Sequence, residues 1–102
     1  MGKEFSLDER VYYPDKDFGL SYRELLELIK KFNDGNTKPS KSDMIQSRFG
    51  ADMVNQKWIR KKITEMLKIL SRNGYLFVQP VLDDQGRYMG NMYVAKTEFP
   101  TD

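Results

Sequence analysis

Apolar residues recur at helical spacing in three separate stretches of this 102-residue chain. The first stretch predicts a helix that begins at Ser21, because Ser21 and Glu24 have the spacing of a capping box. Gly35 follows its last turn and is suited to a left-handed cap. The apolar face of this helix comprises Leu25, Leu26, Leu28, Ile29 and Phe32.

The second stretch predicts a shorter helix. It begins near Ser40, where Asp43 has the position of a reciprocal cap, and it ends at Gly50. Its inner face comprises Met44, Ile45 and Phe49. The connector that precedes it, residues 37–39, could hold a very short strand.

The third stretch predicts a long helix over residues 55–73, after a turn. Either Asp52 or Asn55 could cap it, and the sequence does not decide between them. At about 100° per residue, one side of the helix is apolar and faces the core. That side comprises Ile59, Ile63, Met66, Leu67 and Leu70.

Alternation of period two follows the third helix and predicts a C-terminal hairpin. Residues 75–79 and 87–96 form its strands, and the turn between them contains Gly86, which can adopt a positive φ. Pro80 lacks an amide donor and belongs on an edge. Gly90 indicates a bulge.

The N-terminal part, residues 1–19, predicts an extended arm that lies across the core. Its aromatic anchors are Phe5, Tyr12, Tyr13 and Phe18. Residues 20–102 then form a single α+β domain with a three-helix core and a C-terminal two-stranded β-hairpin wing. Helix, turn, longer helix and hairpin is the order of a winged helix-turn-helix.

Composition limits the chemistry that this chain can perform. It contains no cysteine and no histidine, which removes thiol nucleophiles, the commonest general base and the commonest metal ligand. Asp15 and Asp17 are close in sequence, but they fall in a loop without the pocket that acid–base catalysis needs. Asp83 and Asp84 could bind a cation weakly, but their position favours a solvated turn. We therefore expect no enzymatic activity, no catalytic residue, no metal and no cofactor.

No apolar run is long enough to cross a bilayer, and the N-terminus lacks the apolar core of a signal peptide. We expect a cytoplasmic protein with no membrane partner. Charge is distributed unevenly: residues 36–72 hold nine basic and three acidic side chains, whereas both flanking segments are net negative. A basic patch of this kind is typical of polyanion binding.

The third helix carries its positive charge opposite the core-facing side. Gln56 and Arg60 have side chains that can read base edges in the major groove. At the tip of the hairpin, Arg87 is the natural phosphate contact, although Asp83 and Asp84 would weaken it or turn the hairpin away. The predicted DNA-binding residues are Lys38, Ser40, Lys41, Asn55, Gln56, Lys57, Arg60, Lys61, Thr64, Lys68, Arg87 and Tyr88.

Several local motifs carry a resemblance to a known group of proteins. These are residues 17–21 (DFGLS), residues 63–70 followed by NGYL at 73–76, DQGR at 84–87 followed by YV at 93–94, and EFP at 98–100. In these motifs the chain resembles the N-terminal winged helix-turn-helix domains of phage and plasmid replication initiators, also called replisome organisers. Such proteins usually continue into a further domain for partner loading, so we expect either the DNA-binding part of one or a small stand-alone regulator.

Two functions are compatible with these observations. The first is sequence-specific binding of double-stranded DNA in replication initiation or transcriptional regulation, with residues 55–73 as the recognition helix. The alternative is a winged-helix module that binds a protein, such as a phage-encoded adaptor or an inhibitor of a nucleic-acid machine. A homodimer and a replication or host protein partner both stay open.

Overall fold

A computed structural model describes residues 6–7, 10–13 and 16–96, with side chains for residues 6–7 and 19–96. This part of the chain is α+β, as predicted, with three α-helices and two antiparallel hairpins. From the first helix onwards, the order of helices and strands is compatible with a winged-helix layout. The elements are β1 (Arg10–Tyr13), β2 (Lys16–Ser21), α1 (Tyr22–Asp34), α2 (Lys41–Phe49), α3 (Lys57–Arg72), β3 (Leu76–Leu82) and β4 (Tyr88–Ala95).

The N-terminal segment contains a hairpin that the sequence analysis did not predict. β1 pairs with β2 in antiparallel register, and β2 runs across the predicted boundary between residues 19 and 20. Leu7 and Leu20 are buried, and the Leu7 carbonyl accepts a hydrogen bond from the Arg23 amide at 2.7 Å. The segment is therefore extended, but it pairs with itself. The expected aromatic anchors at positions 5, 12, 13 and 18 lie outside the residues whose side chains are described.

Both predicted capping boxes are present. In α1, the Ser21 hydroxyl accepts from the Glu24 amide at 3.1 Å, and Glu24 accepts from the Ser21 amide at 2.9 Å. In α2, Ser40 and Asp43 make the same reciprocal pair at 3.2 and 3.0 Å. Each box satisfies two amides that a helix leaves without an internal partner, and so it fixes where the helix begins.

The start of α3 differs from the prediction. The helix begins at Lys57, and neither Asp52 nor Asn55 caps it; Gln56 has the cap position and makes no side-chain bond there. Asp52 does not cap α3 because it lies inside a short 3₁₀ turn at Ala51–Met53.

The end of α1 also differs from the prediction. Gly35 has φ −89°, so it is not the left-handed residue. Asn36 adopts that conformation instead, with φ 63°. Asparagine tolerates the left-handed region better than most residues, so the chain reverses there without strain.

The Asn33 side chain joins the end of α1 to the edge of β4. Its Oδ1 accepts from the Ala95 amide at 2.9 Å, and its Nδ2 donates to the carbonyls of Tyr93 at 3.3 Å and Thr37 at 2.9 Å. The Tyr93 amide donates to the Pro39 carbonyl at 3.1 Å. The connector at 37–39 therefore forms no strand. The Asn33 carboxamide and the Pro39 carbonyl bond to the outer edge of β4 in place of a third strand.

The core lies between the three helices and the base of the β3–β4 hairpin. The predicted core-facing side of α3 is confirmed, because all five of its apolar residues are buried. The same cluster contains Leu25, Leu26, Ile29, Met44, Ile45, Leu76, Tyr93 and Ala95.

The β3–β4 hairpin contains the predicted bulge. Val81 pairs with Gly90 but Leu82 pairs with Tyr88, so Met89 is the extra residue. Gly90 has φ 122°, a conformation that favours glycine.

Pro80 lies on the outer edge of β3. The Tyr93 amide donates to Pro39, so the backbone groups of Tyr93 face away from β3. Val78 is its cross-strand partner, and in such a non-hydrogen-bonded pair the backbone groups of Val78 also face away from β4. Pro80, two residues farther along, therefore turns its nitrogen outwards. In the described part of the chain no other strand pairs with this edge.

Candidate nucleic-acid interface

The face of α3 opposite the core is basic, as the helical projection predicts. Lys57, Lys61 and Lys68 are exposed there. Thr64 is half-buried, and its hydroxyl donates to the Arg60 carbonyl at 2.7 Å. Three lysines along one face of one helix present a row of unburied positive charge.

The residues just ahead of α3 are also accessible. Asn55 and Gln56 are exposed. Together with Lys57, Trp58 and Lys61 they border a shallow hollow. Trp58 itself is half-buried and packs against the core cluster, so it anchors this corner of the domain. The two amide side chains therefore lie at the accessible N-terminal end of α3, where a ligand could reach them.

Arg60 has an internal role that the helical projection could not reveal. Its Nη1 donates to the Val54 carbonyl at 2.9 Å and to the Ser42 hydroxyl at 3.2 Å. Arg60 is half-buried in this position. The guanidinium thus joins α3 to the turn before it and to α2. Base readout by Arg60 stays a prediction.

A cleft separates α2 and α3 from the inner face of the β3–β4 hairpin, and we call it the α3–hairpin cleft. It consists of two adjoining hollows of about 420 and 490 Å³. Lys41, Tyr88, Asn91 and Tyr93 border both hollows. Ser40, Arg60, Thr64, Lys68 and Arg72 each border one of them.

Lys41 borders both hollows of this cleft, with Arg60 on one of them and Lys68 on the other. Its partial burial, and then the charges of Arg60 and Lys68, lower the pKa of Lys41 from its ordinary value. Lys41 also occupies the first turn of α2, where the helix dipole disfavours a cation. Among the described residues, no carboxylate borders the cleft. The cluster of three cations is therefore held together by the fold at an electrostatic cost.

Two other predicted DNA contacts are engaged within the protein. Lys38 is exposed on the connector, and its Nζ donates to the Gln79 side-chain oxygen on β3 at 2.8 Å. Ser40 uses its hydroxyl in the α2 cap. Ser40 borders the cleft beside Lys41, whereas neither Lys38 nor its partner Gln79 borders it. Each of the two predicted contacts therefore has a structural role.

The tip of the hairpin is arranged differently from the prediction. Arg87 was expected to contact phosphate, with Asp83 and Asp84 repelling it; in the structure, the Arg87 Nε pairs with Asp83 Oδ2 at 2.7 Å. Contact of Arg87 with DNA stays a prediction. Asp83 Oδ1 also accepts from the amides of Arg87 at 2.8 Å and Gln85 at 2.9 Å. These bonds, the Arg87 amide first, lower the pKa of Asp83. Asp83 thus organises the turn, and Arg87 compensates its charge.

The sequence analysis missed several polar residues of the cleft, among them Ser42, Ser71, Arg72 and Asn91. Asn91 and Arg72 border it, and neither was predicted to contact DNA. Arg72 flanks the basic face in the helical projection, and that position was the available signal. Asn91 lies two residues before Tyr93 on β4 and so shares its face, and this alternation was the available signal.

Comparisons of the chain with protein-family models, with curated proteins and with solved structures gave no match. Within residues 6–7, 10–13 and 16–96, no helix combines the length and the apolar character that crossing a membrane requires. The same residues contain no cluster of three acidic side chains that could hold a metal ion.

Proposed function

We propose that the chain is a winged helix-turn-helix protein that binds double-stranded DNA, with α3 in the major groove and the β3–β4 hairpin as its wing. One observation carries this proposal: Lys41, Arg60 and Lys68 converge beside the exposed basic face of α3, with no carboxylate bordering their cleft. A phosphodiester is the ligand that this charge favours.

The energetics of phosphate binding support the same conclusion. A bound phosphate would remove the mutual repulsion of the three cations, and displacing counterions from DNA adds a favourable, salt-dependent contribution. In this arrangement Lys57, Lys61 and Lys68 would contact backbone phosphates. Gln56 and Asn55, at the start of α3, have the side chains that pair with adenine in the major groove.

The biological setting is part of the proposal. The resemblance to phage and plasmid replication initiators favours a cytoplasmic role in replication initiation or transcriptional regulation. A homodimer would read two half-sites about 34–36 Å apart along the duplex, which corresponds to one helical turn.

A specific observation favours a second candidate, which is a module that binds a protein. Phe77, Leu82, Tyr88 and Met89 are large apolar or aromatic residues exposed on the β3–β4 hairpin. Exposed apolar side chains in one place are typical of interaction surfaces. Such binding would depend only weakly on salt, whereas binding to phosphates weakens steeply as salt rises.

Fluorescence anisotropy with a labelled duplex over a series of salt concentrations tests the proposal. Lys68→Gln should weaken binding and reduce the salt slope by about 0.9, the contribution of one phosphate contact. Lys62→Gln is the matched control, because Lys62 lies on the same helix but pairs with Glu65 at 3.6 Å. It should change neither quantity appreciably.

Equal effects of the two variants would reject the α3–hairpin cleft as the DNA site. Binding of wild type that does not respond to salt would reject DNA binding by phosphate contacts altogether.

A further inference from the structure

The large exposed apolar side chains of this protein are confined to one element. Among residues 6–7 and 19–96, whose side chains are described, every one lies on the β3–β4 hairpin. Three of them surround the tip, with exposed fractions of 59% for Leu82, 62% for Tyr88 and 65% for Met89. Large apolar side chains that cluster on an exposed surface are typical of an interaction site.

These three residues lie on or next to the cleft side of the hairpin. Leu82 and Tyr88 are direct cross-strand partners, so their side chains share one face of the sheet. Tyr88 and Met89 border the α3–hairpin cleft, which carries the Lys41 and Lys68 charges. The apolar tip is therefore continuous with the positive surface, and a polyanion in the cleft would pass directly beside it.

The tip is held in shape by its own turn. The Asp83 carboxylate accepts three hydrogen bonds, from Arg87 Nε and from the amides of Arg87 and Gln85. The Asp83 amide donates to the Arg87 carbonyl at 2.9 Å, which closes the loop. A rigid turn can press side chains into a ligand without losing much conformational entropy. Pairing with Arg87 also compensates the Asp83 charge, which lowers the repulsion from phosphates.

The length of the hairpin matches the geometry of a duplex. Along β3 only Leu76, at its start, is buried, so the strand projects from the core. Six residue steps at about 3.3 Å carry it about 20 Å outwards. Half of the roughly 34 Å DNA repeat is about 17 Å, which is the distance along the axis from a major-groove contact to the neighbouring minor groove.

We propose that Leu82 and Met89 form an apolar wedge that enters the minor groove and bends the DNA. The proposal rests on the proposed function and adds a mechanical activity to it. Apolar side chains inserted between base steps unstack them and kink the duplex toward the major groove. Tyr88, beside them, would pack against the sugar–phosphate backbone at the mouth of the cleft.

Ligase-catalysed ring closure of a short duplex measures DNA bending, and it does not require that the preferred binding sequence be known. A duplex of about 120 base pairs is shorter than the DNA persistence length of about 150 base pairs, so it closes slowly unless it is bent. A kink that relieves about 1.4 kcal/mol of bending free energy should raise closure about tenfold. The double variant with Leu82→Ser and Met89→Ser should return closure to nearly the protein-free rate.

Phe77→Ser is the matched control. Phe77 is as exposed as Leu82, at 59%, and lies on the same hairpin. However, it pairs with Val94 near the base of the hairpin and does not border the cleft. Phe77→Ser should therefore close rings as wild type does. Leu82→Met should as well, since it keeps an apolar side chain at the tip.

Anisotropy on the same duplex separates failure of the wedge from failure of DNA binding. Salt-dependent binding by wild type without enhanced ring closure would overturn the wedge and leave the proposed function standing. Absence of any duplex binding would overturn both. Sedimentation of the same variants tests whether the apolar tip instead binds a second copy of the chain. If wild type is a dimer and the Leu82/Met89 double variant is a monomer, the tip is a dimer contact and the wedge is wrong.

Discussion

Replacing Asn33 with alanine should lower the free energy of unfolding by about 2–3 kcal/mol, although Asn33 is only half-buried at the end of a helix. The change removes the acceptor of the Ala95 amide and the donor to the carbonyls of Tyr93 and Thr37. Ala95 is buried, so its amide loses its partner without gaining water. An unsatisfied buried donor costs about 1–3 kcal/mol, and each ordinary hydrogen bond contributes about 0.5–1.5 kcal/mol.

Part of that loss is offset, because alanine is the better helix former by up to about 0.7 kcal/mol. The net effect is a large share of the total for a domain of this size, which is about 5–15 kcal/mol. Thermal melts should show it as a fall of about 10–20 °C, since 1 kcal/mol corresponds to about 4–8 °C in small domains.

Urea denaturation, followed by Trp58 fluorescence and by circular dichroism, gives the free energy directly. Asn73→Ala is the matched control, since Asn73 also ends a helix but makes one exposed side-chain bond, to the Ile69 carbonyl at 2.8 Å. It should cost less than about 1 kcal/mol. Hydrogen exchange should show the Ala95 amide losing protection in Asn33→Ala, while the Tyr93 amide, bonded to Pro39, keeps most of its own.

The reasoning would be refuted if the two asparagine variants unfolded within about 0.5 kcal/mol of each other, the usual size of a surface substitution.

Two further outcomes follow from the interface. Arg60→Ala should lower the free energy of unfolding by about 1–3 kcal/mol, because the half-buried Val54 carbonyl loses its donor. Lys57→Ala, on the exposed face, should stay within about 0.5 kcal/mol of wild type. Urea melts of both variants measure the difference. The pKa of Lys41 is lowered in the folded state, so the native protein releases that proton first and the contribution of Lys41 to stability should rise as pH climbs through the lowered value toward 10.5. Lys41→Met should reduce this rise in melts at a series of pH values, and an unchanged pH profile would contradict the burial and charge effects assigned to Lys41.

Elements that depend on neighbours along the chain were predictable from sequence. The capping boxes at Ser21 and Ser40 and the apolar side of α3 need only residues three or four positions apart, and the structure has all of them. The start of α3 was wrong because a 3₁₀ turn and a helical turn share the same local signals. The β1–β2 hairpin was missed because charged residues interrupt its alternation.

Contacts between distant residues were not predictable in the same way. Asn33 bonds to Ala95, 62 positions away, and nothing local marks an asparagine at a helix end as a partner for a strand edge. The extra residue Met89 has a similar effect, because one inserted position exchanges the two faces of a strand. The faces of Tyr88 and Met89, which lie at the bulge, could be assigned only once the register was known. Contact of any predicted site residue with DNA stays a prediction.

Pro80 has a consequence for the behaviour of the protein at high concentration. The outer edge of β3 carries Phe77, Val78 and Leu82 beside a row of backbone groups that no other described strand covers. Edges of this kind recruit strands from other molecules and seed aggregates. Because Pro80 has no amide hydrogen, an incoming strand would meet a gap in the middle of that row. The apolar hairpin can therefore stay exposed for a ligand while remaining a poor template for fibrils.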